Sequence, residues 1–257
     1  TLYLAAGNLY ELDAEQSRLV TLLSQGDAAS GAPVGDIRHV SIDSGNVVAS
    51  DGAATFARDK AGNWQRLPLA IADVDGLRPE APVVTWGDAS YGLSRMGDLV
   101  RFDQASVGSP GEIWAAVEDH PDLESARDFA IDGRIHVLLN DGRTLTFSRG
   151  ALMGTLSPFV VPALDDAAFL AEAPFANAFY IVDRNGTIGE NVGRIVQVNA
   201  AGEAKQYLTP DPAPGDLEGN AAATTLGEVE DLAIDELSGV VYWVSGGDIW
   251  RATLPLD

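Results

Sequence analysis

Cysteine is absent from this chain of 257 residues. The absence excludes disulfide bonds, a thiolate nucleophile and any zinc site with cysteine ligands. A chain of this length can bury enough apolar surface to fold without disulfides, so the absence does not identify a compartment.

Basic residues are scarce: 16 Lys and Arg stand against 38 Asp and Glu, for a net charge of −22. A surface this acidic repels phosphate, so we expect no binding to nucleic acid or to anionic membrane surfaces. The same charge favours solubility, cationic partners and divalent metal ions. It also suits a salt-tolerant or cell-surface protein that stays apart from its neighbours by charge repulsion.

The sequence contains no apolar run of about 18 residues, so we predict no membrane insertion of this domain. A signal peptide is not visible, and the chain starts at Thr1 where a complete open reading frame would start with Met. Because targeting segments are removed from mature proteins, this start indicates a mature form or an excised fragment.

Motifs of the common enzyme classes are lacking as well. The sequence has no phosphate-binding P-loop, no G-x-G-x-x-G and no H-E-x-x-H. Ser94, between Gly92 and Gly97, misses the G-x-S-x-G spacing by one residue and lies in a predicted hairpin, whereas a nucleophile elbow joins a strand to a helix. We therefore predict no catalytic residue.

What the chain does contain is a unit that recurs along it, seen most clearly over residues 127–150. After a first strand, Ile135, Val137 and Leu139 recur at period two, which predicts a half-buried second strand. The Asp141-Gly142 pair then predicts a tight hairpin into a third strand. An outer strand is expected over residues 156–161.

The first strand of the unit returns as HVSID, DFAID and DLAID, ending at Asp43, Asp132 and Asp235. The units recur on average every ~43 residues, which matches the length of a four-stranded propeller blade. We therefore predict an all-β fold: a six-bladed β-propeller with four-stranded antiparallel blades, forming a single domain over residues 1–257. A β-sandwich also has short strands, but it does not repeat its own strand sequence.

The two end blades are each predicted to be one strand short. Residues 1–25 read as second, third and outer strands, and residues 228–257 as inner, second and third strands. Open sheet edges expose unpaired backbone groups, so two explanations arise. Either the chain was excised from a longer protein that supplies the missing strands, or residues 2–6 pair with residues 248–253 and close the ring.

The inner strand, followed by a G-x-φ-Y-φ hairpin where φ is apolar, resembles the NHL-like and SMP-30-like six-bladed propellers. The segments NLYELD, GAPVGDI, DFAIDGRIHVLLNDGRTLTFS and VEDLAIDELSGVVYWVSGGDIWRA are similar to propeller ectodomains of bacterial membrane-anchored, phosphatase-associated proteins. The resemblance covers most of the chain and is weakest over residues 73–124. It implies a sensing or binding module that is extracytoplasmic or located at the cell surface.

Charged residues on the inner strands are the candidate ligand-binding residues, because inner strands line the central channel of a propeller. Three blades carry them at equivalent positions: Arg38 and His39, Arg127 and Asp128, and Glu230 and Asp231. Charges of both signs around one axis would bind a small polar ligand. The alternative is that these side chains pair with one another and hold the blades in register.

Calcium is the one cofactor that the sequence suggests. Asp183, Asn185 and Glu190 place oxygen donors along a loop, although Thr187 and Ile188 break the EF-hand pattern. The alternative is ordinary turn chemistry, which favours the same residues. The three histidines fall in different predicted blades, so we expect no zinc site built from them.

The sequence shows the repeats of a propeller but none of the catalytic motifs considered above. This combination favours a non-catalytic module that binds a protein or a small polar ligand. A metal-dependent hydrolase of the gluconolactonase type is the first alternative. The resemblance implies for that family a Glu near the first blade, whereas Glu11 lies in a middle strand here. A structural or filament subunit is the second alternative.

Overall fold

Short antiparallel strands make up most of the described part of the chain, which also contains a 3-10 turn at Pro121–Ser125. A computed structural model of the chain describes residues 2–13, 18–43, 46–58, 61–69, 76–103, 109–160, 163–164, 166–173, 177–184, 194–208, 229–235, 240–245 and 248–253. Among these residues, no helix has the length and apolar character needed to cross a bilayer.

Residue contacts group the chain into two compact units, Thr1–Glu124 and Ser125–Asp257, and each is described by itself. A single domain over residues 1–257 stays a prediction. Within each unit the strands of a sheet pair in chain order, and the first strands of successive sheets lie side by side.

The Thr1–Glu124 unit has, in its described residues, three sheets and one two-stranded hairpin. The strands are β1 Leu2–Ala6, β2 Asn8–Asp13 and β3 Arg18–Leu23; the hairpin strands β4 Ala28–Ala29 and β5 Ala32–Pro33; β6 His39–Asp43, β7 Asn46–Ser50, β8 Ala54–Arg58 and β9 Trp64–Pro68; and β10 Val83–Trp86, β11 Ala89–Leu93, β12 Leu99–Asp103 and β13 Glu112–Ala115.

The Ser125–Asp257 unit has three sheets in its described residues. Their strands are β14 Ala126–Ile131, β15 Ile135–Leu139, β16 Thr144–Ser148 and β17 Ala151–Leu156; β18 Ala167–Ala173, β19 Ala178–Asp183, β20 Arg194–Asn199 and β21 Ala204–Leu208; and β22 Val229–Asp235, β23 Val240–Ser245 and β24 Asp248–Thr253.

Apolar side chains fill the space between neighbouring sheets. One cluster joins the β14–β17 and β18–β21 sheets through residues such as Leu138 and Leu170. A second joins the β18–β21 and β22–β24 sheets through residues such as Tyr180 and Trp243. In the first unit, a cluster around Phe56 joins the sheets that begin with β1 and β6.

Two predictions for the repeat seen most clearly over residues 127–150 are wrong. Strand β15 was expected to be half-buried, but all five of its residues are buried. Both of its faces are covered, so period-two alternation of apolar residues does not mark an exposed side here. The outer strand is Ala151–Leu156 and not residues 156–161. Arg149 and Gly150, with φ of 50° and 80°, reverse the chain directly after β16.

The first and last sheets contain three strands each in the described part of the chain, as the sequence predicts for both ends. The predicted roles of the strands in residues 1–25 are wrong, because β1 lies beside β6, the first strand of the next sheet, and so takes the inner position that the prediction leaves empty. The pairing of Leu2–Ala6 with Asp248–Thr253, and an origin in a longer protein, stay predictions.

Gly142 is a turn glycine that no other residue should replace at low cost. Its φ is +83°, and a Cβ added there would lie 2.9 Å from Cβ of Leu164. Gly52 is a matched control, because it follows Asp51 in the corresponding connection between the second and third strands of its sheet. Its φ is +80°, and nothing lies within 4 Å of an added Cβ.

We therefore expect Gly52→Ala to lower the free energy of unfolding by about 1–2 kcal/mol through backbone strain alone. Gly142→Ala should add the cost of overpacking, about 1–3 kcal/mol more. Urea denaturation followed by circular dichroism measures both. Equal losses in the two variants would show that Leu164 moves aside freely.

Candidate functional site

The predicted ligand-binding residues of the second unit lie at a bulge that recurs in its first strands. In β14 the register shift leaves Arg127 as the extra residue, directly before Asp128. In β22 the same shift leaves Glu230 as the extra residue, directly before Asp231. Arg127, Glu230 and Asp231 are exposed, whereas Asp128 is buried. A bulge of this kind turns charged side chains away from the regular ladder.

The Asp128 carboxylate connects two neighbouring sheets. Its Oδ1 accepts a hydrogen bond from the Phe129 N–H at 2.7 Å, and its Oδ2 accepts one from the Leu170 N–H of β18 at 2.7 Å. Burial raises the pKa of Asp128 to about 7, and the negative charge of Asp231 acts in the same direction. The two backbone donors oppose this rise but do not cancel it.

Asp231 makes the same hydrogen bond to the next residue as Asp128 makes to Phe129, since its Oδ1 accepts from the Leu232 N–H at 2.8 Å. Although the residue has exposed surface, protein atoms around its carboxylate displace water and raise its pKa to about 6. The electrostatic effect of Asp231 on Asp128 places the two carboxylates within reach of each other's charge. A cation between them would favour the ionised form of both.

The first strand of the middle sheet interrupts this pattern. Its register shift falls at Ala168, and the position that corresponds to Asp128 is Phe169. The guanidinium of Arg184 lies over the Phe169 ring, 4.8 Å from its centroid. The charged residues thus come from the outer two of the three first strands in this unit.

In the first unit, Arg38 and His39 lie at the start of β6, where the Arg38 N–H donates to the carbonyl of Ser50. The exposed Arg38 side chain forms an ion pair with Asp36, with Nε 3.1 Å from Oδ2. Burial lowers the pKa of His39 to about 4, so its imidazole is neutral at pH 7.

Of the predicted calcium ligands, only Asp183 is described; Asn185 and Glu190 lie outside the described residues. The Asp183 Oδ2 accepts from Arg194 Nε and from its terminal nitrogen at 3.0 and 2.9 Å, and both side chains are fully buried. The Asp183 Oδ1 accepts from the Asp166 N–H at 3.2 Å. A calcium ion at Asp183 would have to compete with this ion pair, and the calcium site stays a prediction.

A cluster that the sequence did not predict lies between the β14–β17 and β18–β21 sheets. Asp132, His136 and Glu172 each offer one ligand atom, and these atoms lie within 4.8 Å of one another. His136 Nε2 is 3.2 Å from Asp132 Oδ1 and 3.2 Å from Glu172 Oε1. The side chains of His136, Glu172 and Asp132 are 8%, 12% and 37% exposed, so the cluster opens to solvent at Asp132.

The strand register positions the imidazole of this cluster. His136 is opposite Ala130 on one side and Thr146 on the other, so its ring lies on the sheet face shared with them. Thr146 Oγ1 is 3.1 Å from His136 Nδ1, and the Phe179 ring packs against the imidazole with a centroid distance of 4.9 Å.

Two carboxylate oxygens at Nε2 require a proton on that nitrogen, so Nδ1 of the neutral ring accepts from the Thr146 hydroxyl. Burial lowers the pKa of His136, against the opposing effect of the Asp132 carboxylate. The ring is therefore a neutral donor placed between two acids.

Comparison with known proteins identifies the fold. No protein-family model matches the sequence, and no curated protein matches it. A gluconolactonase from Xanthomonas campestris is similar in structure, with 13% identity, a TM-score of 0.62, and coverage of 98% of this chain and 80% of that one.

Two further solved structures are similar. The virginiamycin B lyase from Staphylococcus aureus has 11% identity and a TM-score of 0.50, over 98% of this chain and 79% of that one. YCF48 bound to D1 peptide has 14% identity and a TM-score of 0.52, over 84% of this chain and 64% of that one. All three are propeller-type proteins, and at these identities the likeness shows the fold alone: a β-propeller with repeated blades.

Proposed function

We propose that the chain is a six-bladed β-propeller that acts as a non-catalytic binding module for a positively charged partner, either a basic protein segment or a small polar ligand with a cationic group. The observation that carries the proposal is the bulge that recurs in β14 and β22, at which Arg127, Glu230 and Asp231 are exposed and Asp128 is buried. A membership among NHL-like or SMP-30-like propellers and an extracytoplasmic or cell-surface location belong to the same proposal.

Charge supports a cationic partner. The chain carries 38 acids and 16 bases, so its field attracts cations from a distance. At the bulge itself, Asp128 and Asp231 hold their protons to unusually high pH because their carboxylates are desolvated. An ammonium or guanidinium group bound there would offset that desolvation with a charge-assisted hydrogen bond.

A propeller-type protein can hold a peptide, since the similar structure of YCF48 has D1 peptide bound. For the present chain this supports a protein segment as partner, alongside the small polar ligand that the mixed charges of Arg127 and Glu230 would also accept.

The test uses tetralysine and spermidine as probes in isothermal titration at fixed ionic strength. We expect saturable binding that strengthens from pH 5 to pH 8, as Asp231 and then Asp128 lose their protons near pH 6 and pH 7. Asp231→Asn should weaken it about 10-fold or more, the value of one charge-assisted hydrogen bond. Glu118→Gln, which removes one exposed acid in the other unit, should change it less than about 2-fold.

Equal weakening by the two substitutions would mean that the probes respond only to net charge, and the proposed site would be wrong. Absence of saturable binding to either probe would also contradict the proposal.

A metal-dependent hydrolase of the gluconolactonase type is the second candidate. It is favoured by the gluconolactonase among the similar structures and by the cluster of Asp132, His136 and Glu172. Hydrolysis of gluconolactone above the buffer rate, lost on chelation and restored by a divalent ion, would replace the first proposal by this one.

A further inference from the structure

The geometry points to a binding site for a divalent transition-metal ion, of which Zn²⁺ is the type, formed by His136 Nε2, Asp132 Oδ1 and Glu172 Oε1. The site shares no residue with the bulges at Asp128 and Asp231, and it requires neither the cationic partner nor hydrolase activity.

The first argument is spacing. Zinc bonds to nitrogen and oxygen are about 2.0–2.1 Å long, so two ligand atoms of a tetrahedral site lie about 3.3 Å apart. Nε2 is 3.2 Å from each of the two carboxylate oxygens. The three ligand atoms lie within 4.8 Å of one another, so an ion that takes the place of the Nε2 proton would meet all three once side-chain rotation draws the two carboxylate oxygens towards it.

The second argument is orientation. A histidine that ligates a metal through one nitrogen normally donates the N–H of the other to an acceptor that fixes the ring. Thr146 Oγ1, 3.1 Å from Nδ1, is such an acceptor, and Phe179 packs on the ring face. When an ion binds at Nε2, the neutral ring changes tautomer: Nε2 releases its proton to solvent and Nδ1 takes one up. The ring stays neutral, and Thr146 changes from donor to acceptor.

The third argument is the choice of ion. Calcium takes six to eight oxygen ligands, whereas this site offers an imidazole and two carboxylates. A neutral imidazole and two ionised carboxylates carry two negative charges, which a divalent ion balances. The partial exposure of Asp132 leaves a side open for a water molecule as fourth ligand.

The neighbouring sheet provides a matched control position. Asp235 at the end of β22 corresponds to Asp132 directly after β14. Tyr242 of β23 takes the place of His136, because Tyr242 is opposite Ala233 in the same way that His136 is opposite Ala130. Asp235→Asn therefore removes the same charge without removing a ligand.

The experiment titrates chelator-treated protein with Zn²⁺ by calorimetry and with Co²⁺ by visible absorption, which reports coordination geometry. We expect one ion per chain and a higher melting temperature with Zn²⁺. Asp132→Asn and Glu172→Gln should each weaken binding by more than the roughly 10–100-fold typical of losing an outer partner, and Thr146→Val by about that amount. Asp235→Asn should leave the affinity and the Co²⁺ spectrum unchanged.

Circular dichroism of each variant without metal establishes that it is folded before the titration. Should Glu172→Gln fail to fold, the more exposed Asp132→Asn decides the outcome. The proposal is overturned if the unsubstituted protein binds no ion stoichiometrically, if Asp132→Asn binds as tightly as the unsubstituted protein, or if Asp235→Asn weakens binding as much as Asp132→Asn.

Discussion

Replacing Arg194 by methionine should lower the free energy of unfolding by about 3–5 kcal/mol, the cost of removing one partner from a buried ion pair. Arg194 and Asp183 are both fully buried, and the guanidinium also donates to the carbonyl of Ala163 at 2.8 Å. Without the guanidinium, the Asp183 carboxylate would remain buried with only the Asp166 N–H to bind among the contacts described here. Urea denaturation measures the loss.

The double variant Arg194→Met, Asp183→Asn is the control for this prediction. It removes the uncompensated charge and keeps an amide oxygen for the Asp166 N–H, so it should regain a large part of the lost stability. A single variant within about 1 kcal/mol of the unsubstituted protein would show that the pair behaves like an exposed one. A double variant no more stable than the single one would show that packing of the Arg194 side chain, and not its charge, is what matters.

Replacing Asp128 by alanine should cost about 2–5 kcal/mol near pH 5, because it leaves the N–H groups of Phe129 and Leu170 without their acceptor. The cost should shrink as pH rises. An aspartate ionises near pH 3.8 in the unfolded chain but near pH 7 in the folded one. Between these values the folded state holds one proton more, so the unsubstituted protein loses stability with rising pH and the variant lacks that loss.

Asp231→Ala provides the comparison for this pH dependence. The Asp231 carboxylate accepts one backbone hydrogen bond where Asp128 accepts two, so Asp231→Ala should cost less stability. Because its pKa is raised to about 6, the cost should stop changing at a lower pH than for Asp128→Ala. Unfolding free energies measured from pH 4 to pH 8 test both variants. A cost for Asp128→Ala that grows as pH rises would contradict the assigned direction of the pKa.

The fold was accessible from the sequence because each blade repeats the same local pattern. The strands DFAID and DLAID align residue by residue, and the structure places Asp128 and Asp231 at the same position of the same bulge. What the pattern could not supply was burial. The alternation in β15 is typical of a half-buried strand, and only the packing of neighbouring sheets covers its second face.

The cluster at His136 was missed for a related reason. The polar signals were present: a histidine within the apolar run of β15, and Glu172 within the apolar run of β18. Residues 136 and 172 belong to different sheets, and their meeting depends on the register between sheets. That register is set by side-chain packing and by single contacts such as the one from Asp128 to Leu170. No periodicity within a blade encodes it.

Strand β18 has Phe169 at the position where β14 and β22 have an aspartate, so the two boundaries of the second unit differ in their response to pH. The Asp128 carboxyl group links the first sheet to the second by its hydrogen bond with the Leu170 N–H, so the stability of that boundary depends on pH. The second and third sheets meet through Tyr180, Leu232 and Trp243, an apolar contact that weakens on cooling. Cooling therefore weakens both boundaries, since an apolar cluster fills the first one as well, whereas rising pH acts through Asp128 at the first boundary.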